Sequence, residues 1–406
     1  MSIYRKLARD EVFGRGDRAL DAHWPDAGLP SGPANIVPIM VIGADRKVRF
    51  RNTERHRAAY RCASVAWFVE NVVLTHPNAR PELYVGEYRF EPHDSPDVGR
   101  EEPTLAFARD LLDASRSRNV VLVPDQYQLF GYQGQFDMYV DDVPWSQKAP
   151  TVMFVGTTTG PEDPALNKRV QAAIGGAAPK SPAGGVPPPD PLHDGKSGSD
   201  RVSVQKSKQK SSNHTDHRVR GSGGGTPSAG DLGAAPPKIW FKLSSVRQMT
   251  EQALERYLLT KGMTLKDVMS DFVEPSAHKM YRYILNIEGN TCCWSRVPMV
   301  MRSKSLMINL KHNEGTWYYP ALCAGKHFVE IDRIEDVLEA RAWCEDHPDA
   351  CQEMVDEANK FYEQFCTQRA AAIYVVELLE AIAEYRGLFR KRQQQNVVDR
   401  KPRKIL

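Results

Sequence analysis

Residues 281–332 read YRYILNIEGNTCCWSRVPMVMRSKSLMINLKHNEGTWYYPALCAGKHFVEID. An apolar run at Tyr281–Glu288 enters a polar loop that contains Gly289 and closes on Ser295 and Arg296. A short helical pattern, a second run at Leu306–Leu310, an aromatic cluster and a third run at His327–Ile331 follow. Short runs rich in Ile, Leu and Tyr between turn residues read as buried strands. Strand, glycine loop, helix and strand in this order commonly build a nucleotide-binding α/β half.

The alternation extends in both directions. Downstream, the pattern is helical from Ile334 to about Phe389, with a break near His347 and Pro348. Tyr374, Leu378, Ile382, Tyr385 and Phe389 form a stripe at helical spacing, expected to pack on the core. Upstream, helices are expected at Thr250–Thr260 and Thr264–Asp271, and strands at Asn35–Gly43, Leu83–Tyr88, Asn119–Pro124 and Thr151–Gly156. Between those strands AAYRCASVAWFVENVVLTH and TLAFARDLLDAS carry helical patterns. Strands alternating with helices predict an α/β fold with a largely parallel sheet.

A chain of 406 residues exceeds a usual single core, so two α/β halves are expected. The first spans residues 1–149 and the second residues 150–359, while residues 360–406 hold a helix that returns to the first half and a basic tail. Residues 177–237, rich in Gly, Pro, Ser and charge, interrupt the second half. Such a stretch buries too little apolar surface to offset the entropy of ordering it, and is expected to be a disordered insertion.

An apolar fraction of 41% and a charged fraction of 26% exclude a fibrous or wholly disordered chain. The net charge of +3 is too small to argue for a nucleic-acid partner. No secretory signal is expected, because MSIYRKLARDEVFGRGDRALD is charged throughout. AAAIYVVELLEAIAEY is broken by Glu377, Glu380 and Glu384, so no membrane span is expected, and the location is expected to be cytoplasmic. Seven cysteines without a CxxC spacing are read as reduced packing residues, not zinc ligands.

Four constellations can carry chemistry. In TVMFVGTTTGPEDPALNKRV a strand runs into Gly156, Thr157, Thr158, Thr159 and Gly160, and Arg169 follows on a helical segment. This is either a polar turn or a cradle of N–H and hydroxyl donors for an anion. Glycine removes the side chain that would block approach. The loop Gly289, Asn290, Trp294, Ser295, Arg296 offers a guanidinium fork that matches phosphate oxygens, and a Trp for a base or sugar face, against the alternative of a surface Arg beside a buried Trp. ELYVGEYRFEPHD places Glu87 on a strand with His93 and Asp94 nearby. VPDQYQLFGYQ sets Tyr127, Phe130 and Tyr132 after a strand, as a ligand platform or as packing under the next loop.

The order of pieces in residues 281–332 resembles glycosyltransferase family ninety, the capsule-associated and protein O-glucosyltransferase group. The strand with its threonines and Arg169 resembles that family's FRGSxTx(n)R element, with Val155 standing where arginine is common. The segment around Glu87 resembles the NVxDYP element, with glutamate at the aspartate position. The resemblance implies a GT-B-like pair of Rossmann-type domains facing a central cleft, with the C-terminal helix packed back on the first. It implies an inverting transfer of xylose, glucose or galactose from a UDP-sugar to a glycan or glycoprotein hydroxyl. Glu87 would be the base, with Gly156, Thr157, Thr158, Thr159, Arg169, Gly289, Asn290, Trp294, Ser295 and Arg296 at the donor and Tyr127, Phe130 and Tyr132 at the acceptor cleft. No D-x-D triad occurs, so neither metal nor cofactor is expected. The departures from the family elements keep a second reading open, a non-catalytic nucleotide-sugar- or glycan-binding protein on the same scaffold.

Overall fold

The computed structural model describes residues 2–13, 38–53, 59–92, 103–113, 119–132, 141–177, 237–271, 273 and 275–399, with side chains through Leu388. Residues 178–236 of the expected insertion, His93, Asp94 and residues 400–406 of the basic tail lie outside these residues.

The chain opens with α1 (Ile3–Phe13), β1 (Ile39–Ile42), β2 (Val48–Arg51), α2 (Ala59–Phe68), α3 (Pro81–Tyr84) and β3 (Gly86–Glu91). It continues through β4 (Thr104–Ala106), β5 (Arg109–Asp110), β6 (Val120–Leu122) and α4 (Gln126–Leu129). Next come β7 (Ala149–Thr157), α5 (Lys168–Gly176), β8 (Ile239–Ser245), α6 (Glu251–Thr260), α7 (Leu265–Val268) and β9 (Tyr281–Asn286). α8 (Arg296–Arg302), β10 (Leu306–Leu310), β11 (Glu314–Gly315) and β12 (Val329–Ile331) precede α9 (Val337–Asp346), α10 (Pro348–Phe361) and α11 (Gln368–Asp399).

The described strands build an α/β structure on two five-stranded sheets. The first has the order β2-β1-β3-β4-β6; β3, β4 and β6 run parallel, and β1 is antiparallel to both neighbours. The second, β12-β10-β9-β7-β8, is parallel throughout. Counted from the β8 edge within its own sheet, that order is 2-1-3-4-5, a doubly wound topology that reverses between β7 and β9. Continuous apolar runs suit these strands, because helices cover both faces of a parallel sheet. Every residue of β10 is buried, and every residue of β9 except Arg282.

One apolar core joins the sheets, holding Phe90, Val121, Met153, Trp294 and Tyr374 together. In α11 the expected stripe is buried at Tyr374, Leu378 and Ile382. Tyr374 stacks on Trp317 with ring centroids 4.2 Å apart and donates its hydroxyl to the Leu122 carbonyl at 2.9 Å. Glu380 accepts from the Tyr84 hydroxyl at 2.6 Å, and Glu384 pairs with Arg9 of α1. α11 therefore lies on elements of the first sheet. Among the described residues no helix is long and apolar enough to cross a membrane.

Three expectations are corrected. The described part of TLAFARDLLDAS, residues 104–113, is not a helix: it forms β4 and β5, and Thr104–Ala108 is wholly buried, where a short apolar run carries no usable period. The strand placed at Leu83–Tyr88 starts only at Gly86, because Pro81 opens a helical turn before it. Glu87 thus stands at the beginning of β3 rather than at its end. The first sheet is mixed, since β1 enters antiparallel to β3.

Candidate functional site

In a doubly wound sheet, the loops leaving the two strands on either side of the reversal diverge and open a crevice at their carboxyl ends. Here those loops are Thr157–Gly160 after β7 and Glu288–Ser295 after β9. The first is shaped by Asn167, whose amide group donates to the carbonyls of Thr158 and Pro161 at 2.9 and 3.0 Å. Its side-chain oxygen caps α5 by accepting from Arg169 and Val170 N–H. Thr158 is fully buried and exchanges hydrogen bonds with the Arg247 backbone, so its hydroxyl serves the loop. Thr157 and Thr159 are half-buried and joined through their hydroxyls at 3.3 Å.

Arg169 ties the two loops together. Its Nε donates to the Glu288 carbonyl at 3.0 Å, Nη2 to the Ile287 carbonyl at 3.1 Å, and Nη1 to the Thr157 carbonyl at 3.3 Å and to Thr159 Oγ1. The guanidinium is mostly spent on loop carbonyls, which makes it a strut. Gly289 fits against it only for want of a side chain, since a Cβ there would stand 3.1 Å from Arg169 Nη2.

Arg296 opens α8 and donates Nη2 to the Val155 carbonyl at 2.6 Å, with its guanidinium 4.8 Å over the Phe154 ring. Its Nη1 is buried with no hydrogen-bond partner among the described residues. Burial pushes its pKa down to about 10, so it stays cationic at neutral pH. Gly156 lies beside it, where a Cβ would stand 3.4 Å from Nη2. Ser295 precedes the helix without a side-chain capping bond, and Asn290 is exposed at the crevice rim.

The crevice itself is a cleft of about 320 Å³ lined by Thr159, Asn167, Lys168, Gly289, Asn290 and Lys311 among others. Its wall also carries a pair that sequence reasoning missed: His312 Nδ1 lies 2.6 Å from Glu288 Oε1, both side chains largely buried. Burial raises the Glu288 pKa, and the facing His312 opposes the rise. The strand register brings them together. Asn286 pairs with Asn309 across parallel β9 and β10, and their side chains bond at 2.8 Å, so residues just beyond both strands face each other. The opposite wall is a ribbon, β5 with β11, in which Asp110 stands against Glu314 and Leu111 N–H donates to the Asn313 carbonyl at 2.8 Å.

Trp294 points away from this cleft. It is buried against Phe107 and Tyr127, with ring centroids 5.5 and 6.1 Å away, and Arg61 lies 4.8 Å over its ring. Around it gather the carboxyl ends of the first sheet's parallel strands. Arg61 donates to the Pro92 carbonyl at 2.7 Å, just past β3, and Glu91 is buried at that strand's end. Asp125, just past β6, caps α4 by accepting from Tyr127 and Gln128 N–H at 2.9 and 3.2 Å. It is fully buried, its Oδ2 has no hydrogen-bond partner among the described residues, and burial raises its pKa to about 7. Neither Arg61 nor Asp125 stood out in the sequence; the Asp-x-x-Gln spacing of a helix cap was the available signal for the latter.

The remaining expected residues separate. Tyr127 contacts Trp294, Phe130 is half-buried against Trp67, and Tyr132 is fully buried with a positive φ of 58°. Glu87 lies at the other end of β3 from Glu91, with Oε2 2.6 Å from Arg51 Nη2 and its carbonyl accepting from Arg386 at 2.9 Å. Among the described residues no three His, Cys, Asp or Glu side chains are grouped to hold a metal ion.

Residues 245–401 match the model of the family described as Glycosyl transferase family 90. Over 132 residues, 31% of this chain and 11% of the relative, the sequence is 26% identical to uncharacterized protein 179R of Invertebrate iridescent virus 6. Over 97 residues, 23% of this chain and 30% of the relative, it is 30% identical to the O-glucosyltransferase LpsA of Dichelobacter nodosus. The chain thus spans well under two thirds of either curated relative.

Proposed function

We propose, because residues 245–401 match the Glycosyl transferase family 90 model, that the protein moves a sugar from a nucleotide donor to a hydroxyl of a glycan or glycoprotein. The observation that carries the reading is one of place. The segment that matches the family model supplies Glu288–Thr291, and these residues line the crevice at which doubly wound sheets take nucleotides. The two sheets are read as the halves of a GT-B arrangement. The nucleotide is UDP and the sugar glucose, xylose or galactose, as the family-ninety resemblance implies.

In this reading Lys168 and Lys311, exposed on the cleft wall, meet the donor diphosphate, and the resemblance adds Arg296, whose unpartnered guanidinium nitrogen is buried beside the end of β7, outside the cleft lining. The acceptor oxygen attacks the anomeric carbon as its bond to the UDP oxygen breaks, which inverts the centre. The negative charge gathering on UDP is met by these cations, so the step requires no metal ion. The acceptor proton passes to a carboxylate, and the resemblance assigns Glu87. Glu91, buried at the carboxyl end of the same strand, is its rival on position.

Thermal unfolding with UDP, UDP-glucose, UDP-xylose, UDP-galactose and the ADP and GDP analogues tests the reading. Stabilisation by the uridine ligands alone is expected, because a ligand that binds only the native state raises its melting temperature. No stabilisation by any of them sinks the proposal. Stabilisation with neither transfer nor donor hydrolysis favours the non-catalytic binding protein.

A further inference from the structure

Along α2 and the turn that continues it, Tyr60, Ser64, Trp67 and Asn71 recur at helical spacing on one outward face. Tyr60 is 59% exposed and Trp67 46%, while Val65 and Phe68 on the other face are buried. Trp67 leans on Phe130 with ring centroids 5.3 Å apart. Arg61 donates to the Tyr60 hydroxyl at 3.1 Å, and the same guanidinium lies over the Trp294 ring. One side chain thus links the exposed rings to Trp294, in the loop whose first residues, Glu288–Thr291, line the candidate donor crevice.

We propose that this face seats the non-reacting rings of an oligosaccharide acceptor. The inference rests on the glycosyl-transfer reading and deepens it, naming a glycan chain as the acceptor class. A pyranose packs its C–H face on an aromatic ring and offers hydroxyls at the rim, and here aromatic faces alternate with the side-chain oxygens of Ser64 and Asn71, which can still accept from them while the Ser64 hydroxyl and Asn71 amide group donate to the Tyr60 and Trp67 carbonyls. Seven residues of helix separate the two exposed rings, about 10 Å along the axis, so the stacking positions stand in file, as a chain requires. An extended peptide would need an open strand edge or a groove for its backbone groups. The convex face of a helix provides neither.

The test titrates the native chain, a Tyr60→Ala/Trp67→Ala double variant and Trp67→Tyr with UDP, and separately with maltohexaose, cellohexaose, chitohexaose and their monosaccharides, by calorimetry. At least one hexasaccharide is expected to bind native protein about tenfold or more tightly than its monosaccharide. The double variant is expected to lose about tenfold of that affinity with UDP binding unchanged, and Trp67→Tyr to keep most of it. The inference is overturned if native protein takes no hexasaccharide, if the double variant binds it as well as native, or if UDP affinity falls in step. Hexasaccharide binding without UDP binding leaves this face standing and removes the donor reading instead.

Discussion

Gly289 and Thr159 approach so closely that a Cβ on the glycine would stand 2.7 Å from the threonine Oγ1. The contact joins the loops from the two strands that flank the reversal in the second sheet. Thr159 cannot swing aside freely, because Arg169 donates to the same oxygen. Gly289→Ala is therefore expected to cost about 1–3 kcal/mol as an overpacked contact and to weaken UDP binding by opening the crevice. Adding Thr159→Ala should recover part of both. Urea unfolding and calorimetry on the two variants check this, and an unaltered Gly289→Ala protein would contradict it.

Arg169→Lys keeps the charge and loses the fork that reaches carbonyls on both loops. A destabilisation of about 2 kcal/mol is expected. A strut of this kind should show its loss in the unfolding midpoint as well as in UDP affinity, whereas a residue acting only on phosphate would move affinity alone.

Arg296→Ala is expected to weaken UDP binding by about tenfold or more, the size of a charge-assisted contact. Lysine should restore only part, since it cannot hold the Val155 carbonyl and a phosphate oxygen together. Unchanged UDP affinity in the alanine variant would remove the diphosphate from Arg296.

For the acceptor base, Glu87→Gln is expected to reduce transfer by about 100-fold with UDP-sugar affinity nearly unchanged. A structural Glu87, tied to Arg51, would instead lower the melting temperature and leave kcat intact. That second outcome passes the role to Glu91, and Glu91→Gln then becomes the test.

Asp125 makes stability depend on pH. Its carboxyl ionises at about 7 in the fold against an ordinary 3.8, so between those values the native state holds a proton that the unfolded chain has lost. Its contribution is full below about pH 4, falls as pH rises towards 7, and is level above. Asp125→Asn retains the oxygen that caps α4 and removes the titration. The stability difference between native protein and variant, measured by denaturant unfolding across about pH 4.5 to 8, should therefore shift in the variant's favour as pH rises. A difference independent of pH would refute the assignment.

The alternation of strands and helices, the positions of β7, β9, β10 and β12, and the loops at Gly156 and Gly289 were legible in the sequence. Parallel strands buried on both faces must be continuous apolar runs, and a loop approached by backbone and guanidinium has to carry glycine. The same locality explains the error at residues 104–110, where a run too short to show a period reads equally as helix or strand. Only the tertiary structure decided that β8 lies outside β7 and so puts the reversal beside β9. It alone turned Arg169 into a strut, faced Glu288 with His312 and carried Arg61 onto Trp294. Each of these depends on which segments become neighbours after the chain has folded, and a hydrogen-bond partner more than a hundred residues away leaves no trace in a local pattern.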